Sequence, residues 1–374
     1  MEKEELQQTL KEWGFHSFSA IRLPKNFGML VKKHFRHNPN WPLSPSQLDN
    51  LISSTQTQTD LVMLFFPITT EAPGEKDVTS QEFLLHKTTS YKLPNLDDFV
   101  ESKNYLEMPI YCLTPAFARI NYYKYITKAI KTVVATLSSK NKLSIPKSSY
   151  RIFSNSQLPE KFLALLCDLA TVGKNNLLIP QSGSSSLIVA GVLFNGGTIT
   201  ENGKPLPLLD EDKLLSPSLN LNKKMGSQCK KCTRCQKSCP ANALTTTVSS
   251  EGYTLHQFQK EKCLQFLSHI NGDYPQSAKG MATPFFYGCS LCQRACPRYQ
   301  LTSDAINNRE LALKMGTPTL PANLTAKDLL ALPEVKALAL LEERLKKSCL
   351  GQRWIDKEAL LRNLKQLAPI AKKN

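Results

Sequence analysis

Apolar residues in this chain fall into two patterns, short unbroken runs and stripes at three- and four-residue steps. Leu61-Val-Met-Leu-Phe-Phe-Pro-Ile68 is an unbroken run that follows the polar stretch Ser53 to Asp60, and its composition is that of a buried strand. Tyr150 to Ser154, Leu177 to Ile179 and Leu187 to Phe194 read as further strands, the last two joined by the Ser/Gly-rich Gln181 to Ser186. Ile120, Tyr123, Ile126, Ile130, Val133 and Leu137 recur at helical steps, so the spacing predicts a helix over Phe117 to Leu137. Its other face carries Lys124, Lys128 and Lys131 near Tyr122 and Tyr125. Basic and aromatic residues together can grip RNA, although a solvated amphipathic helix is the commoner meaning of such a face. A second helix is predicted over Pro159 to Thr171, with Pro159 at its first position, Gly173 as its stop, and Phe162, Leu165, Leu166 and Leu169 as its buried stripe.

This alternation of strands and helices predicts an α+β or α/β sheet in the first part of the chain. At 374 residues there is room for two domains with sizeable cores. Residues 198–227, rich in Pro, Gly, Asn and Lys, read as the passage into a second module. After Pro297 the chain turns Leu-rich, with helices predicted over Glu334 to Lys347 and Lys357 to Leu367. The expected division is an α/β domain at 1–210, a cysteine-rich module at 211–305 and a helical C-terminal segment at 306–374.

Eight of the eleven cysteines lie between residues 229 and 296. Cys229, Cys232, Cys235 and Cys239 followed by Pro240 spell C-x2-C-x2-C-x3-C-P. Cys289, Cys292 and Cys296 followed by Pro297 repeat it without the leading cysteine, which the isolated Cys263 can supply. Thiolates are soft donors suited to iron, and short C-x2-C turns aim successive sulfurs at one cluster. In two-cluster ferredoxins of the bacterial type, the cysteine before the proline ligates the other cluster. That rule predicts two 4Fe–4S clusters, one on Cys229, Cys232, Cys235 and Cys296, the other on Cys239, Cys263, Cys289 and Cys292. A pair of structural zinc sites is the competing assignment, because zinc also uses C-x2-C pairs. Cys112, Cys167 and Cys349 are scattered and read as small hydrophobes.

The formal charge of +16 favours a polyanionic partner, either nucleic acid or an acidic electron donor such as flavodoxin or ferredoxin. Lys223, Lys224, Lys230, Lys231, Arg234, Lys237, Lys260, Lys262, Arg294 and Arg298 crowd the cysteine runs. No segment approaches the ~18 uninterrupted apolar residues of a membrane helix, and the first residues lack the pattern of a signal peptide. The expectation is a cytoplasmic monomer without membrane contact.

Several segments together resemble the epoxyqueuosine reductase family, the cobalamin-dependent iron–sulfur enzymes of tRNA queuosine synthesis. The cysteine pattern matches in number, order and the isolated Cys263, as do Tyr287-Gly288-Cys289, Pro159-Glu160-Lys161 and Leu360-Leu361-Arg362-Asn363. Gly173-Lys174-Asn175, Leu177-Leu178-Ile179 and Gly183-Ser184 resemble the family's Gly-Lys-Asn and Gly-Ser segment; the first lacks the spacing of a Walker phosphate loop. The resemblance implies an N-terminal cobalamin-binding domain, a dicluster ferredoxin-like domain, and reduction of a tRNA epoxide to the alkene. It assigns cofactor binding to Gly173, Lys174, Asn175, Gly183 and Ser184. Two departures stand out. Asn155 occupies the place of the family's catalytic aspartate, and Asn121-Tyr122-Tyr123 stands where the family has Asp-Tyr-His. An amide donates a hydrogen bond but delivers no proton as a carboxylic acid does, so Glu160 or a water is left as proton source. A dicluster electron carrier, or a corrinoid reductase with another substrate, is the alternative this substitution raises.

Overall fold

The computed structural model describes residues 1–35, 43–68, 83–85, 89–91, 106–107, 110, 113–114, 120–181, 183–212, 225–248, 254–273, 286–300, 302–316, 320, 323–346, 348–351 and 355–372. Cys112, Lys223 and Lys224 lie outside these residues. The first half runs α1 (Lys3–Glu12), β1 (Ser17–Leu23), α2 (Phe27–Phe35), α3 (Pro45–Ser54), β2 (Thr59–Pro67), then the hairpin β3 (Phe83–Leu85) and β4 (Thr89–Tyr91). It continues through α4 (Tyr122–Lys140), β5 (Tyr150–Phe153), α5 (Glu160–Leu166), the hairpin β6 (Ala170–Val172) and β7 (Leu178–Pro180), and β8 (Leu187–Asn195). The main sheet has the order β1-β2-β8-β5, and every pairing in it is antiparallel. It is therefore a sheet of the α+β kind.

Helices cover both of its faces. Val62, Leu64 and Phe66 of β2 pack with α1 and α4, whereas Leu61, Met63 and Phe65 pack with α2, α3 and α5. A strand covered on both sides needs apolar residues at odd and even positions alike, which is why its sequence is a continuous run instead of an alternation. Where β8 passes β5, Gly191 faces Phe153, and a Cβ there would lie 2.2 Å from the Phe153 ring. The glycine makes room for the aromatic side chain.

Both helices predicted in the first half differ from their predicted bounds. α4 starts at Tyr122 because the Asn121 side chain caps it, accepting from the Lys124 amide at 3.2 Å. Tyr122 and Tyr125 turn into the core, and the Tyr125 hydroxyl donates to the Trp13 carbonyl. Only Tyr123 is left beside Lys124, Lys128 and Lys131, so the exposed face is basic more than aromatic. α5 ends at Leu166, because Asp168 takes the left-handed conformation (φ 53) and turns the chain into β6. Gly173 sits in the β6–β7 turn instead of ending a helix.

Among the described residues, the cysteine-rich part contains three α-helices of four residues each, α6 (Arg234–Lys237), α7 (Leu264–Leu267) and α8 (Leu291–Arg294). Between α6 and α7 lies a hairpin pairing Leu244–Val248 with Thr254–Phe258. The helices that follow divide their contacts. α9 (Ser303–Lys314) returns to the sheet, where buried Asn308 donates to the carbonyls of Gly14 and Pro67, both at 2.9 Å. α10 (Ala326–Leu330), α11 (Glu334–Leu345) and α12 (Lys357–Lys372) share a core with Phe286 and Tyr287. From α12, Arg362 donates to the carbonyls of Leu267 and Ile270, and Asn363 to those of Ser268 and Phe286. The Leu-Arg-Asn helix thus holds the polypeptide around α7.

Replacing Asn308 with alanine strands two carbonyls that it now satisfies. Asn308→Ala is expected to destabilise the protein by about 2 kcal/mol or more, read as a lower midpoint in chemical denaturation. A change within the scatter of surface substitutions would show that α9 is not anchored there.

Candidate functional site

The eight thiols of the cysteine runs form two neighbouring groups. Cys235 is pushed up to about 11 by burial and then by Cys229, Cys296 and Cys232. Burial likewise raises Cys296, with Cys229 and Cys232 adding to the rise. Cys289 is pushed up to about 11 by burial, with contributions from Cys263 and Cys239. Cys292 rises further, through burial and then Cys289, Cys263 and Cys239, and it also feels Cys235 across the gap between the groups. Each group draws on chain segments far apart in sequence, and the two lie side by side. Among the described residues no three His, Cys, Asp or Glu side chains close on a single-ion site. The all-sulfur donor sets fit iron–sulfur clusters. Ligation requires the thiolate, so iron would displace the protons that burial otherwise retains.

Local backbone explains how short segments aim these sulfurs. Lys230, between the first two cysteines, is left-handed (φ 46), and the Cys232 amide donates to the Cys229 carbonyl. Asn242 (φ 50) turns the chain after Cys239, whose sulfur accepts from the Ala243 amide at 3.3 Å.

The residues that the family resemblance assigns to cofactor binding lie against the first group of thiols. Lys174, in the β6–β7 turn, donates to the carbonyls of Lys230 (2.7 Å) and Cys232 (2.9 Å). Asn175 accepts from the Leu177 amide and shapes that turn, while Gly173 pairs with Leu177 across it. Gly183 (φ 84) opens the loop in which the Ser184 hydroxyl accepts from the amides of Ser186 and Gln300. The adjacent Ser185 amide donates to the Arg298 carbonyl, and its side chain hydrogen-bonds the Cys296 thiol. The resemblance pointed to these segments, but nothing local in the sequence shows that they grip residues 229–300.

A separate cleft of about 510 Å³ opens where α4 begins and β5 ends, lined by Asn121, Tyr123, Lys124, Thr127, Lys128, Lys131 and Ser154. None of Gly173, Lys174, Asn175, Gly183 and Ser184 lines it. Asn155, next in the chain after Ser154 of its lining, is left-handed (φ 49). Half-buried Glu160 accepts from the Ser156 amide at 2.6 Å, and burial pushes its carboxyl up to about 7 against hydrogen bonds from the Ser156 and Asn155 amides. Glu160 lies within electrostatic reach of Tyr123, whose hydroxyl burial holds well above the usual phenol range. Tyr123 in turn neighbours Tyr287. Tyr287 accepts from Gln265 at 3.2 Å, and Gln265 accepts from the Cys289 amide at 3.0 Å. On the other side Lys161 donates to the Asn176 carbonyl and lies within reach of Cys263. Polar groups therefore connect the second group of thiols to the cleft edge. Gln265 had no signal in the sequence, because a lone polar residue in a short helix carries none. Cys167 and Cys349 are buried among apolar residues.

If Cys263 completes the second cluster, Cys263→Ala leaves about half of the iron in reconstituted protein. Full iron retention, measured by metal and acid-labile sulfide analysis, would contradict the ligand assignment.

Residues 228–299, which include all eight cysteines, match the family described as the 4Fe-4S double cluster binding domain. The chain is 26% identical over 226 residues to an epoxyqueuosine reductase of Cyclobacterium marinum, covering 60% of this chain and 58% of that protein. It is 28% identical over 179 residues to the Vibrio cholerae epoxyqueuosine reductase, covering 47% of this chain and 40% of that protein. The chain thus matches about half the length of these curated relatives. Among solved structures, epoxyqueuosine reductase from Bacillus subtilis aligns over 99% of this chain and 82% of its own, with a TM-score of 0.58 and 16% identity. An epoxyqueuosine reductase solved with an epoxyqueuosine-modified tRNA stem loop aligns over 99% of this chain and 81% of its own, with a TM-score of 0.56 and 14% identity. The fold of this chain is similar to that of solved epoxyqueuosine reductases, about half of its sequence is similar to curated epoxyqueuosine reductases, and its residues 228–299 match the 4Fe-4S double cluster binding domain.

Proposed function

We propose that the chain is a cytoplasmic iron–sulfur reductase that converts epoxyqueuosine in tRNA to queuosine, with a corrinoid as its second cofactor. One observation carries the proposal. The cleft at the start of α4 is joined to the second cluster's ligands through Tyr123, Tyr287 and Gln265, so electrons and a proton source meet at its edge. The overall reaction takes two electrons and two protons, breaks both C–O bonds of the epoxide and releases its oxygen as water, leaving the alkene. Cys229, Cys232, Cys235 and Cys296, and Cys239, Cys263, Cys289 and Cys292, would hold two clusters, which would supply one-electron transfer from a low-potential one-electron protein such as flavodoxin or ferredoxin.

The cleft suits the proposed cofactor by its donor set. Asn121, Lys124, Thr127, Lys128, Lys131 and Ser154 present amide, hydroxyl and ammonium groups, which match the carboxamides and phosphodiester of a cobalamin. When bound, a corrinoid supplies the low-valent metal centre on which the two-electron step depends. The basic side of α4 also fits an RNA backbone, and the exposed Lys230, Lys231, Arg234 and Lys237 around the first cluster fit an acidic donor. No helix among the described residues is long and apolar enough to cross a membrane.

In this chain Asn155 orients and Glu160 protonates. The Asn155 amide can donate a hydrogen bond to the epoxide oxygen. The carboxyl of Glu160, packed under the same loop, keeps a proton near neutrality because burial disfavours its charge. The protonated form is the active one, so turnover on epoxyqueuosine-containing tRNA should hold below pH about 7 and fall as pH rises through it. Glu160→Gln keeps the hydrogen bond to Ser156 and removes the proton; the rate should drop about 10²–10⁴-fold and lose that pH dependence. Turnover by Glu160→Gln with the wild-type rate and pH profile would remove Glu160 from the reaction.

A further inference from the structure

We infer that Lys174 sets the reduction potential of the first cluster, on Cys229, Cys232, Cys235 and Cys296, above that of the second, so that the first cluster holds the first electron. The inference stands on the cysteine assignment and does not depend on the epoxide reaction.

Lys174 is only 5% exposed. Its ammonium donates to the carbonyl of Cys232, a ligand of the first cluster, and to that of Lys230 beside it. The side chain lies in a channel kept open by Gly226, where a Cβ would stand 2.6 Å from Lys174 Cγ and 2.9 Å from His256. The Gly226 amide donates to the Val172 carbonyl at 2.7 Å, fixing the cluster loop against the end of β6, from which the Lys174 turn starts. Among the described residues no carboxylate pairs with Lys174. A buried ammonium without a carboxylate partner needs another countercharge, and the thiolates of a cluster on the ligand loop it bonds would supply one.

Reduction adds one negative charge to a cluster and makes or breaks no bond; a one-electron donor protein is oxidised in the same step. A fixed positive charge at the ligand loop stabilises the reduced form and raises the potential, because net charge and hydrogen bonding set cluster potentials. At the second cluster, Lys161, whose charge reaches Cys263, is exposed and donates to the Asn176 carbonyl, away from the ligand loops. Among the described residues, the first cluster alone has a lysine ammonium bound to the carbonyl of one of its own ligands.

The test is an anaerobic redox titration of the reconstituted full chain followed by electron paramagnetic resonance. Wild-type protein should show two one-electron reductions. Lys174→Gln should lower the higher of them by about tenfold in the reduced-to-oxidised ratio at fixed potential, ~59 mV for a one-electron couple, and leave the other in place. Lys174→Arg, which keeps the charge and the donors, should stay near wild type. In Cys263→Ala protein, the remaining reduction should be the higher-potential one. The proposal is overturned if fully loaded Lys174→Gln leaves both potentials unmoved, or if Lys174→Gln and Lys174→Arg shift alike. It is equally overturned if Cys263→Ala retains the lower-potential signal. That last measurement keeps Lys174 intact and tests the order of the two potentials even if Lys174→Gln fails to load iron; Lys174→Arg then tests the role of the charge.

Discussion

Iron ligation takes the place of a hydrophobic core in residues 225–300. The buried apolar cluster beside the second set of thiols consists of Ala241, Leu264 and Leu267, with Cys239, Ile270 and Cys289 partly buried against it. The helices there are four residues long, far below the length at which a helix persists alone. Such a segment holds its shape only when thiolates from distant parts of the chain are tied to common centres. The sheet, by contrast, is self-sufficient, with apolar clusters on both faces of β2.

What surrounds the clusters follows from that dependence. The N-terminal part supplies Lys174 and Ser185 to the first. The C-terminal helix supplies Arg362 and Asn363 to the turns around α7, which begins directly after Cys263. The same polar contacts that hold the loops also place redox centres next to protein charge. On the cleft side, Tyr287 and Gln265 connect the second cluster's backbone to Tyr123 and Glu160, two groups whose proton affinity is raised by burial. In a carboxylate's usual solvated setting Glu160 would be fully ionised at neutral pH; burial raises it to about 7, so that a substantial fraction keeps its proton there.

The cysteine grammar was legible because C-x2-C spacing and the proline after the last cysteine are local constraints. β2 was legible because a strand covered on both faces is apolar throughout. The start of α4 was less so, since Asn121 caps the helix with one hydrogen bond that a stripe of apolar residues does not report. The end of α5 depends on Asp168 adopting a left-handed turn, a conformation more often marked by glycine or asparagine. The Gly-Lys-Asn and Gly-Ser segments could be noticed as motifs, but their role could not be read from spacing. Lys174 meets Lys230 and Cys232 more than fifty residues on, and Ser185 reaches Cys296 across more than a hundred. The helices before β2, and Asn308 of α9 on the sheet, carried too weak a pattern to be singled out.

The most direct test of the account is chemical. Protein with both clusters reconstituted is incubated anaerobically with cobalamin, a strong one-electron reductant and tRNA bearing epoxyqueuosine, and the digested nucleosides are weighed by mass spectrometry. The account predicts loss of one oxygen atom, giving queuosine. Unchanged epoxyqueuosine from protein with intact clusters and bound cobalamin would contradict it and assign the cleft to another substrate.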